Sequence, residues 1–468
     1  MRLKKTNPVP LKVLALLALL SMAFMTDVAT AETLNFAQAV QRALSQNPDI
    51  LIAGAQIGQA QAAVRQSDAA RLPKVTASIN VTRTDDALNA FGLKLSQRNA
   101  TFNDFGAGEF NPVNPNVLNI APHSLNYPDA VNNFNTRLEA QLPLYTGGMI
   151  EGHAEQARAY LRAAQQGDAL ARQKVIFDVL RAYEGVHTAR AYENVARQAR
   201  NAAESYVKTT ESLFRGGVVV KSDLLSAKVH LEDVKVQQAQ AENAVQQALD
   251  QLHLLLGMPL AAPLDVAGDV DVRPLEGTLA DSQADALKSN PGLAALRNQL
   301  DAAQAAIKVA RAGKYPQAGL LARVDTNDNA IGFDAHSYTL GGQVSWQLFD
   351  GGVVSGGIQR AQASRDEIAA RLAQAENGIA YQVADAWRRA DEAQRRVMAR
   401  ELAASQAGEA QRLVEKRYAN GVTTITELLG AQAQLDKTRA DLVAAHYELK
   451  VQRANARLAV GRLQPDQL

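Results

Sequence analysis

The chain has 468 residues, of which 47% are hydrophobic, and such a composition excludes a wholly disordered protein. It contains no cysteine, which excludes disulfide frameworks, thiolate metal sites and lipid attachment through an N-terminal cysteine. Lys and Arg number 49 against 48 Asp and Glu, and this balance gives no reason to expect nucleic acid as a partner.

A secretory signal is predicted at the amino terminus. Basic residues come before an apolar run from Val13 to Met25, and Ala29-Thr30-Ala31 follows with small residues at the positions that a signal peptidase reads. The run is too short to cross a bilayer of about 30 Å as a helix. Residues 1–31 are therefore predicted to be removed, and any membrane span of the mature chain must use β-strands.

Residues 32–257 are predicted to form a first structural repeat. Asn47 is followed by Pro48, an N-cap with proline at the first helical position, and the helix is predicted to run over 48–72 until Pro73 ends it. Apolar and polar residues then alternate over about 75–84 and 136–145, which predicts two amphipathic strands. The segment between them, 85–135, is rich in Asn, Pro and Gly and is predicted to be a loop.

A long helix is predicted after the second strand. The stretch after Gly148 is rich in Ala, Gln, Glu and Arg and has few helix breakers for about 65 residues, enough for a helix of about 100 Å. Gly217 is predicted to end it in a left-handed cap, and Ser222 to start the next helix.

A second repeat is predicted over 279–462, after a proline-containing linker at 258–278 and before a tail at 463–468. Asn290-Pro291 follows Asn47-Pro48 by 243 residues, whereas Gly421 follows Gly217 by only 204. The difference of 39 equals the excess length of the 85–135 loop over its counterpart, 326–337. Strands are predicted at about 317–325 and 338–349. Gly421 is predicted to end the second long helix in a left-handed cap, and Thr426 to start the last helix.

The second long helix carries a seam of apolar residues. From Ile368 to Val397 these residues recur every three or four positions, and many of them are alanines. Such a seam is typical of close, coiled-coil-like helix packing. A bulky globular core is not expected around it.

Four strands cannot close a barrel in a membrane, since the smallest such barrels have about eight. Oligomerisation must therefore complete it, with apolar side chains outward and a polar lumen. The predicted fold class is an α+β membrane protein that places long helices on one side of the membrane. Two alternatives stay open: a soluble periplasmic helical binding or scaffold protein without a pore, and an adaptor with a helical hairpin.

Paired motifs carry a resemblance to a known family. The strand-to-helix junctions LYTGG (144–148) and LFDGG (348–352) and the tips FRGGVVVKSDLL (214–225) and YANGVTTITELL (418–429) resemble the TolC family of outer membrane efflux proteins. The resemblance covers about 33–463. It implies a homotrimer in outer membrane lipid of a Gram-negative bacterium, with four strands per chain in a twelve-stranded β-barrel and the helices in a periplasmic α-barrel.

The resemblance also implies function and partners. The chain would be the outer membrane channel of a tripartite efflux or type I secretion system. It would give passive passage and would bind a periplasmic adaptor (membrane fusion) protein and, through it, an inner-membrane pump.

The tips supply candidates for the periplasmic entrance. Asp223 and Glu427 lie just after the tip turns, where a carboxylate is a favourable partner for the helix dipole. The sharper hypothesis is that three copies of Glu427 form an acidic ring that selects cations. Tyr418 matches the aromatic tip position of the family, and two roles stay open for it: its hydroxyl links neighbouring helices at the entrance, or its ring packs. Where the family pattern has a basic residue this chain has Thr423, and where it has a second acid this chain has Gly430, so we expect a constriction that is weaker or built differently.

Three further groups of residues are candidates. Adaptor contacts are expected at the exposed tips, namely Arg215, Gly216, Gly217, Val218, Val219, Asn420, Gly421, Val422 and Thr423. Sharp turns from strand to helix, with capping side chains, are expected at Thr146, Gly147, Gly148, Asp350, Gly351 and Gly352. An aromatic girdle at the membrane interface is expected from Tyr145, Trp346 and Phe349.

Enzymatic activity is not predicted. The seven histidines are scattered and have no metal-ligand spacing, and no serine nucleophile elbow is present. Neither a cofactor nor a metal is expected.

Overall fold

The computed structural model describes residues 32–467, so the predicted signal at 1–31 lies outside the described residues. The α-helices are α1 Phe36–Gln46, α2 Pro48–Ala69, α3 Ala87–Ser96, α4 His123–Asn126, α5 Met149–Arg215, α6 Lys221–Leu256, α7 Leu279–Ser289, α8 Pro291–Ala312, α9 Val353–Ala419 and α10 Ile425–Val460. The strands are β1 Glu32–Leu34, β2 Lys74–Thr84, β3 Val131–Tyr145, β4 Leu264–Val266, β5 Gln317–Asp328 and β6 His336–Ser345. Among the helices in residues 32–467, none combines the length and the hydrophobicity that a membrane span needs.

The chain divides into two compact units. The described residues of the first unit are 32–54, 168–291 and 376–467, and those of the second are 55–167 and 292–375. The long helices α5 and α9 each contribute to both units.

The second unit contains an antiparallel sheet in the order β2-β3-β5-β6. Leu138 pairs with Val324 and Ala140 with Ala322, while Arg137 pairs with Asp325. Because side chains alternate between faces along a strand, this register collects apolar residues on one face and polar residues on the other. The predicted amphipathic strands are confirmed.

A β-bulge interrupts this alternation at the end of β3. Pro143 pairs with Gly319 and Tyr145 pairs with Ala318, so Leu144 is an extra residue. An extra residue resets which face the next side chain takes. Tyr145 therefore shares the apolar face with Ala318, although the odd-numbered residues before it lie on the polar face.

Several strand and helix ends differ from the sequence expectation. The strand expected at 338–349 ends at Ser345, because its partner β5 begins at Gln317 and Pro316 before it has no N–H to extend the ladder. The strand expected from 136 begins at Val131, and that expected to end at 325 continues to Asp328. The helix expected over 48–72 ends at Ala69. The 85–135 segment is not a plain loop, since it contains α3, α4 and three short 3-10 helices.

The first unit shows the duplication as repeated contacts. The Asn47 side chain donates to the Leu255 carbonyl at 3.1 Å, and that of Asn290 donates to the Ala459 carbonyl at 3.3 Å. Both acceptors lie in the last turn of the returning helix, α6 in one repeat and α10 in the other. The asparagine of each Asn-Pro pair therefore also ties the start of its own helix to the end of the returning helix.

The linker between the repeats packs onto α5 and α10. The Tyr183 hydroxyl lies 3.1 Å from the Leu34 carbonyl and 3.2 Å from the Ala267 carbonyl, between the parallel strands β1 and β4. Glu184, which is buried, accepts from Lys450 at 2.9 Å. Lys450 also pairs with Asp269 at 2.6 Å. These contacts fix the linker beside the carboxyl-terminal helix.

Candidate functional site

Each long helix ends at a glycine with a positive φ. Gly217 has φ 74° and Gly421 has φ 72°, in the left-handed region that side-chain-bearing residues rarely adopt. The next amides, Val218 N and Val422 N, each donate at 2.9 Å to a carbonyl five residues earlier. This pattern terminates a helix and reverses the chain, as predicted for both tips.

The returning helices begin earlier than predicted. α6 begins at Lys221 with Val220 as N-cap and no side-chain cap, and α10 begins at Ile425 with Thr424 as N-cap. The Thr424 hydroxyl accepts from the Glu427 amide at 3.2 Å, which fixes the N-cap two residues before Thr426. Ser222 and Thr426 are therefore not the caps.

The carboxylate of Glu427 has two partners in its own tip. The Thr423 hydroxyl donates to one oxygen, and Arg417 approaches the other at 3.3 Å. Arg417 was not among the residues singled out from the sequence, since it lies ten positions before Glu427. Glu427 remains exposed, so its charge is partly compensated and accessible to water.

Tyr418 lies between the two long helices. Its ring is buried, and its hydroxyl is 2.8 Å from the buried Thr210 hydroxyl of α5. Burial raises the pKa of Tyr418, the hydrogen bond with Thr210 opposes this shift, and the charge of Asp223 adds to it. Tyr418 thus both packs and links helices, the two roles left open by the sequence.

A second buried polar group lies next to Tyr418. The Tyr206 hydroxyl donates to Gln432 at 2.7 Å and accepts from Gln411 at 2.5 Å. Gln432 in turn donates to Asp436 at 2.8 Å, and burial raises the pKa of Asp436 to about 6. We refer to Tyr206, Gln411, Gln432 and Asp436 as the tip network.

Sequence analysis missed the tip network and Thr210. The repeat offset of 204 places Tyr206 opposite Ala410 and Thr210 opposite Val414. The first repeat therefore has polar side chains where the second repeat has apolar ones. This difference between the repeats is a sequence signal that points to Tyr206 and Thr210.

The predicted adaptor-contact residues lie together. Val218 and Val422 are exposed apolar side chains, and a Cβ built on Gly421 would lie 3.0 Å from a methyl group of Val218. Arg215, Gly216, Gly217 and Asn420 are exposed too, whereas Val219 is half-buried. Val220, which the sequence analysis omitted, adds a third exposed valine.

The junction glycines all have positive φ, from 63° at Gly351 to 94° at Gly352. Asp350 accepts from the amides of Gly352 at 2.8 Å and Val354 at 2.7 Å, and these hydrogen bonds, Val354 first, lower the pKa of Asp350. Thr146 accepts more weakly from Ile150 at 3.3 Å. A Cβ on Gly147 would lie 2.5 Å from the Ala312 carbonyl, so this glycine also permits a close approach of α8.

The predicted girdle aromatics are all exposed. The Trp346 indole donates to the Lys314 carbonyl at 3.1 Å, which orients the ring at the start of the sheet. Phe349 and Trp346 follow β6 instead of belonging to it, and Tyr145 reaches the apolar face through the bulge.

Comparison with known proteins matches this architecture to one family. The family model described as outer membrane efflux protein covers residues 39–258 and 284–462. The chain belongs to this family.

Individual relatives and structures agree. Outer membrane protein TolC of Vibrio cholerae is 24% identical over 466 residues, 97% of this chain and 95% of the relative. Alkaline protease secretion protein AprF of Pseudomonas aeruginosa is 26% identical over 298 residues, and this match spans 62% of either chain. The structure of VceC from Vibrio cholerae is 18% identical, has a TM-score of 0.73 and covers 91% of this chain and 96% of its own.

As a member of this family, the protein is the outer membrane channel of a tripartite efflux or type I secretion system. It works as a homotrimer with a periplasmic adaptor and an inner-membrane pump. Its helices belong to a periplasmic α-barrel, and its four strands contribute to the β-barrel of the trimer. The family, fold class, partners and localisation inferred from the sequence are confirmed, and the pore-free scaffold and the adaptor are excluded.

Proposed function

We propose that this channel is a passive duct whose periplasmic entrance is held narrow by buried contacts between its own helices, until partner binding opens it. The observation that carries the proposal is the hydrogen bond between Tyr418 and Thr210, which joins the long helices of the two repeats next to the tips. The proposed duct catalyses no reaction, and the energy for export comes from the inner-membrane pump.

The strength of this link suits a gate. A neutral hydrogen bond contributes about 1 kcal/mol net to stability, but a buried hydroxyl left without a partner costs about 1–3 kcal/mol. The link therefore biases the entrance toward the closed arrangement, while binding of an adaptor at the tips can supply enough energy to break it.

Charge at the entrance comes from Asp223 and Glu427. Both lie in the first turn of a returning helix, where the helix dipole favours them. In a trimer, three copies of each would make the entrance acidic, but Arg417 and Thr423 compensate part of the Glu427 charge. We infer a weak preference for cations, with Thr423 as a neutral part of the constriction.

We also propose roles for the aromatic and junction residues at the membrane end of the chain. Tyr145, Trp346 and Phe349 are exposed where the sheet meets the helices, as expected for aromatic anchors at the periplasmic membrane interface. The junction residues redirect the chain from each strand into the long helix that follows. These residues are Thr146 to Gly148 and Asp350 to Gly352.

Cargo choice is assigned to the partners. The names of related proteins include alkaline protease secretion, pyoverdine export and toluene efflux, which differ widely in the size of what is moved. We propose that the pump and the adaptor select the cargo and that the duct accepts what they deliver.

The gate is tested by single-channel conductance of the trimer in planar bilayers. Tyr418→Phe removes the hydroxyl and leaves Thr210 unpaired, so we expect larger or more frequent open states. Tyr418→Phe with Thr210→Val removes both partners and should match the single variant in conductance while recovering stability. The matched control is Tyr447→Phe, whose hydroxyl bond is long at 3.4 Å. Wild-type conductance in the Tyr418→Phe variant would contradict the proposed gate.

A further inference from the structure

Residues 85–130, between β2 and β3, form a folded segment that we name the exit segment. The Lys94 ammonium pairs with Asp104 at 2.5 Å, and Phe91 packs edge-on against Phe105 with ring centroids 4.6 Å apart. Glu109 accepts from Ser124 and from the His123 amide, and these bonds, Ser124 first, lower the pKa of Glu109 to about 2. Internal contacts therefore give the segment a defined shape.

The exit segment is attached to the sheet through Gln97. This side chain is buried and donates to the Asn133 side chain at 2.9 Å and to the Asn132 carbonyl at 2.7 Å. Its oxygen accepts from Asn99 at 3.1 Å. With every polar group of the amide satisfied, Gln97 has the hydrogen bonding of a structural anchor.

The anchor point lies on the polar face of the sheet. Asn133 is an even number of residues from Arg137, Glu139 and Gln141, and the register of β3 is regular from 131 to 143. Asn133 also donates to Asn327 at 3.1 Å, and Asn135 and Arg137 both donate to Asp325. In a transmembrane barrel the apolar face meets lipid and the polar face lines the lumen. The exit segment therefore contacts the lumen side.

The segment crosses more than one strand. Arg98, next to the anchor Gln97, has φ 58°, and its guanidinium donates to the His336 carbonyl at 2.8 Å. His336 is the first residue of β6, whereas Asn133 lies near the start of β3, and β5 lies between them. The exit segment thus reaches from β3 to β6 at one end of the sheet.

The exit segment exposes several large apolar side chains. Phe102, Val113 and Leu118 are each more than 85% exposed in the single chain. Their counterpart in the second repeat is the short turn 329–335, which exposes fewer large apolar side chains, namely Ile331 and Phe333. Threefold symmetry brings three such surfaces around one axis, where they can cover one another.

We propose that the exit segment lies across the lumen side of the sheet and that its three copies narrow the outer mouth of the channel, with Gln97 as the positioning residue. This rests on the channel function of the family. It makes the outer mouth a size filter of its own, independent of the periplasmic entrance.

The test measures how far reagents penetrate from outside. Because the chain has no cysteine, a Glu139→Cys variant carries a single thiol on the polar face, deeper than Asn133. Intact cells are treated with thiol-reactive polyethylene glycols of graded size, and labelled trimer is counted. The same substitution is combined with Gln97→Ala, and separately with replacement of 85–130 by the turn sequence 329–335.

Two controls fix the interpretation. Leu138→Cys, the neighbour on the apolar face, should resist every reagent, and Ile331→Cys in the exposed short turn should react with all of them. Single-channel conductance of each trimer checks the pore separately from the filter.

We expect a size limit for labelling of Glu139→Cys in the full chain, its loss when the exit segment is replaced, and an upward shift with Gln97→Ala. The same size limit in all three proteins would overturn the proposal. Should the replacement variant fail to assemble, an unchanged limit with Gln97→Ala would still overturn it.

Discussion

At the scale of single residues, removal from water changes the protonation equilibria of side chains in the tip network. Asp436 is the clearest case, since burial raises its pKa to about 6 against the opposing effects of the Gln432 hydrogen bond and Arg439. The folded chain therefore favours the protonated acid. This stabilisation is complete below the ordinary pKa near 3.8 and is lost as the pH rises through 6.

We predict that Asp436→Asn, which keeps the acceptor for Gln432, stabilises the trimer at pH 8 by about 1–3 kcal/mol and has little effect at pH 4. Thermal unfolding in detergent at the two pH values measures the difference. Asp441→Asn is the matched control, because this half-buried acid pairs with Arg400 at 3.1 Å and should lose a little stability at pH 8. If Asp436→Asn changed the unfolding temperature equally at both pH values, the pKa of Asp436 would not be raised, and the prediction would be wrong.

Contacts of this kind lie beyond sequence reasoning. The positions of Glu427 and Tyr418 followed from the tip motif, but their partners Arg417 and Thr210 did not. Thr210 is 208 residues away from Tyr418, and only the packing of the two repeats brings them together.

At the scale of helices and strands, the periodic and punctuated parts of the chain were predictable. Asn-Pro pairs, terminal glycines and alternating strands are local signals, and local chemistry decides them. The β6 end and the bulge at Leu144 were not, because both depend on the register of β5, which pairs with β3 and β6. The structure of the exit segment could not be predicted for a similar reason. Its anchor is a single glutamine, Gln97, whose partners lie about 35 residues further along the chain.

The tips carry the prediction at this scale. Val218 and Val422 are exposed apolar side chains beside each other, as a docking surface requires. We predict that Val218→Ser with Val422→Ser reduces adaptor binding, and with it export, by about tenfold or more, while the trimer still forms.

Adaptor pull-down and an export assay in cells measure the effect. Val236→Ser is the control, because this valine is as exposed as Val218 but lies within α6, away from its tip. Undiminished adaptor binding by the double variant would remove these residues from the docking surface.

At the scale of the whole molecule, residues 32–467 supply one four-stranded sheet, and its outer strands, β2 and β6, each have one partner strand within these residues. Nearly every residue of both strands is exposed in the single chain, including Ile79 and Leu340 on the apolar face. Open strand edges cannot stay unpaired in lipid, because no water is available to satisfy their backbone groups. Assembly of further copies is therefore a physical requirement of the sheet, in agreement with the family.

The most direct measurement is the mass of the protein extracted from membranes in mild detergent, with bound detergent subtracted, together with its conductance in a planar bilayer. The account predicts three chains in one particle that conducts ions. A monomer that stays soluble without detergent and shows no conductance would contradict it, since four strands cannot enclose a pore.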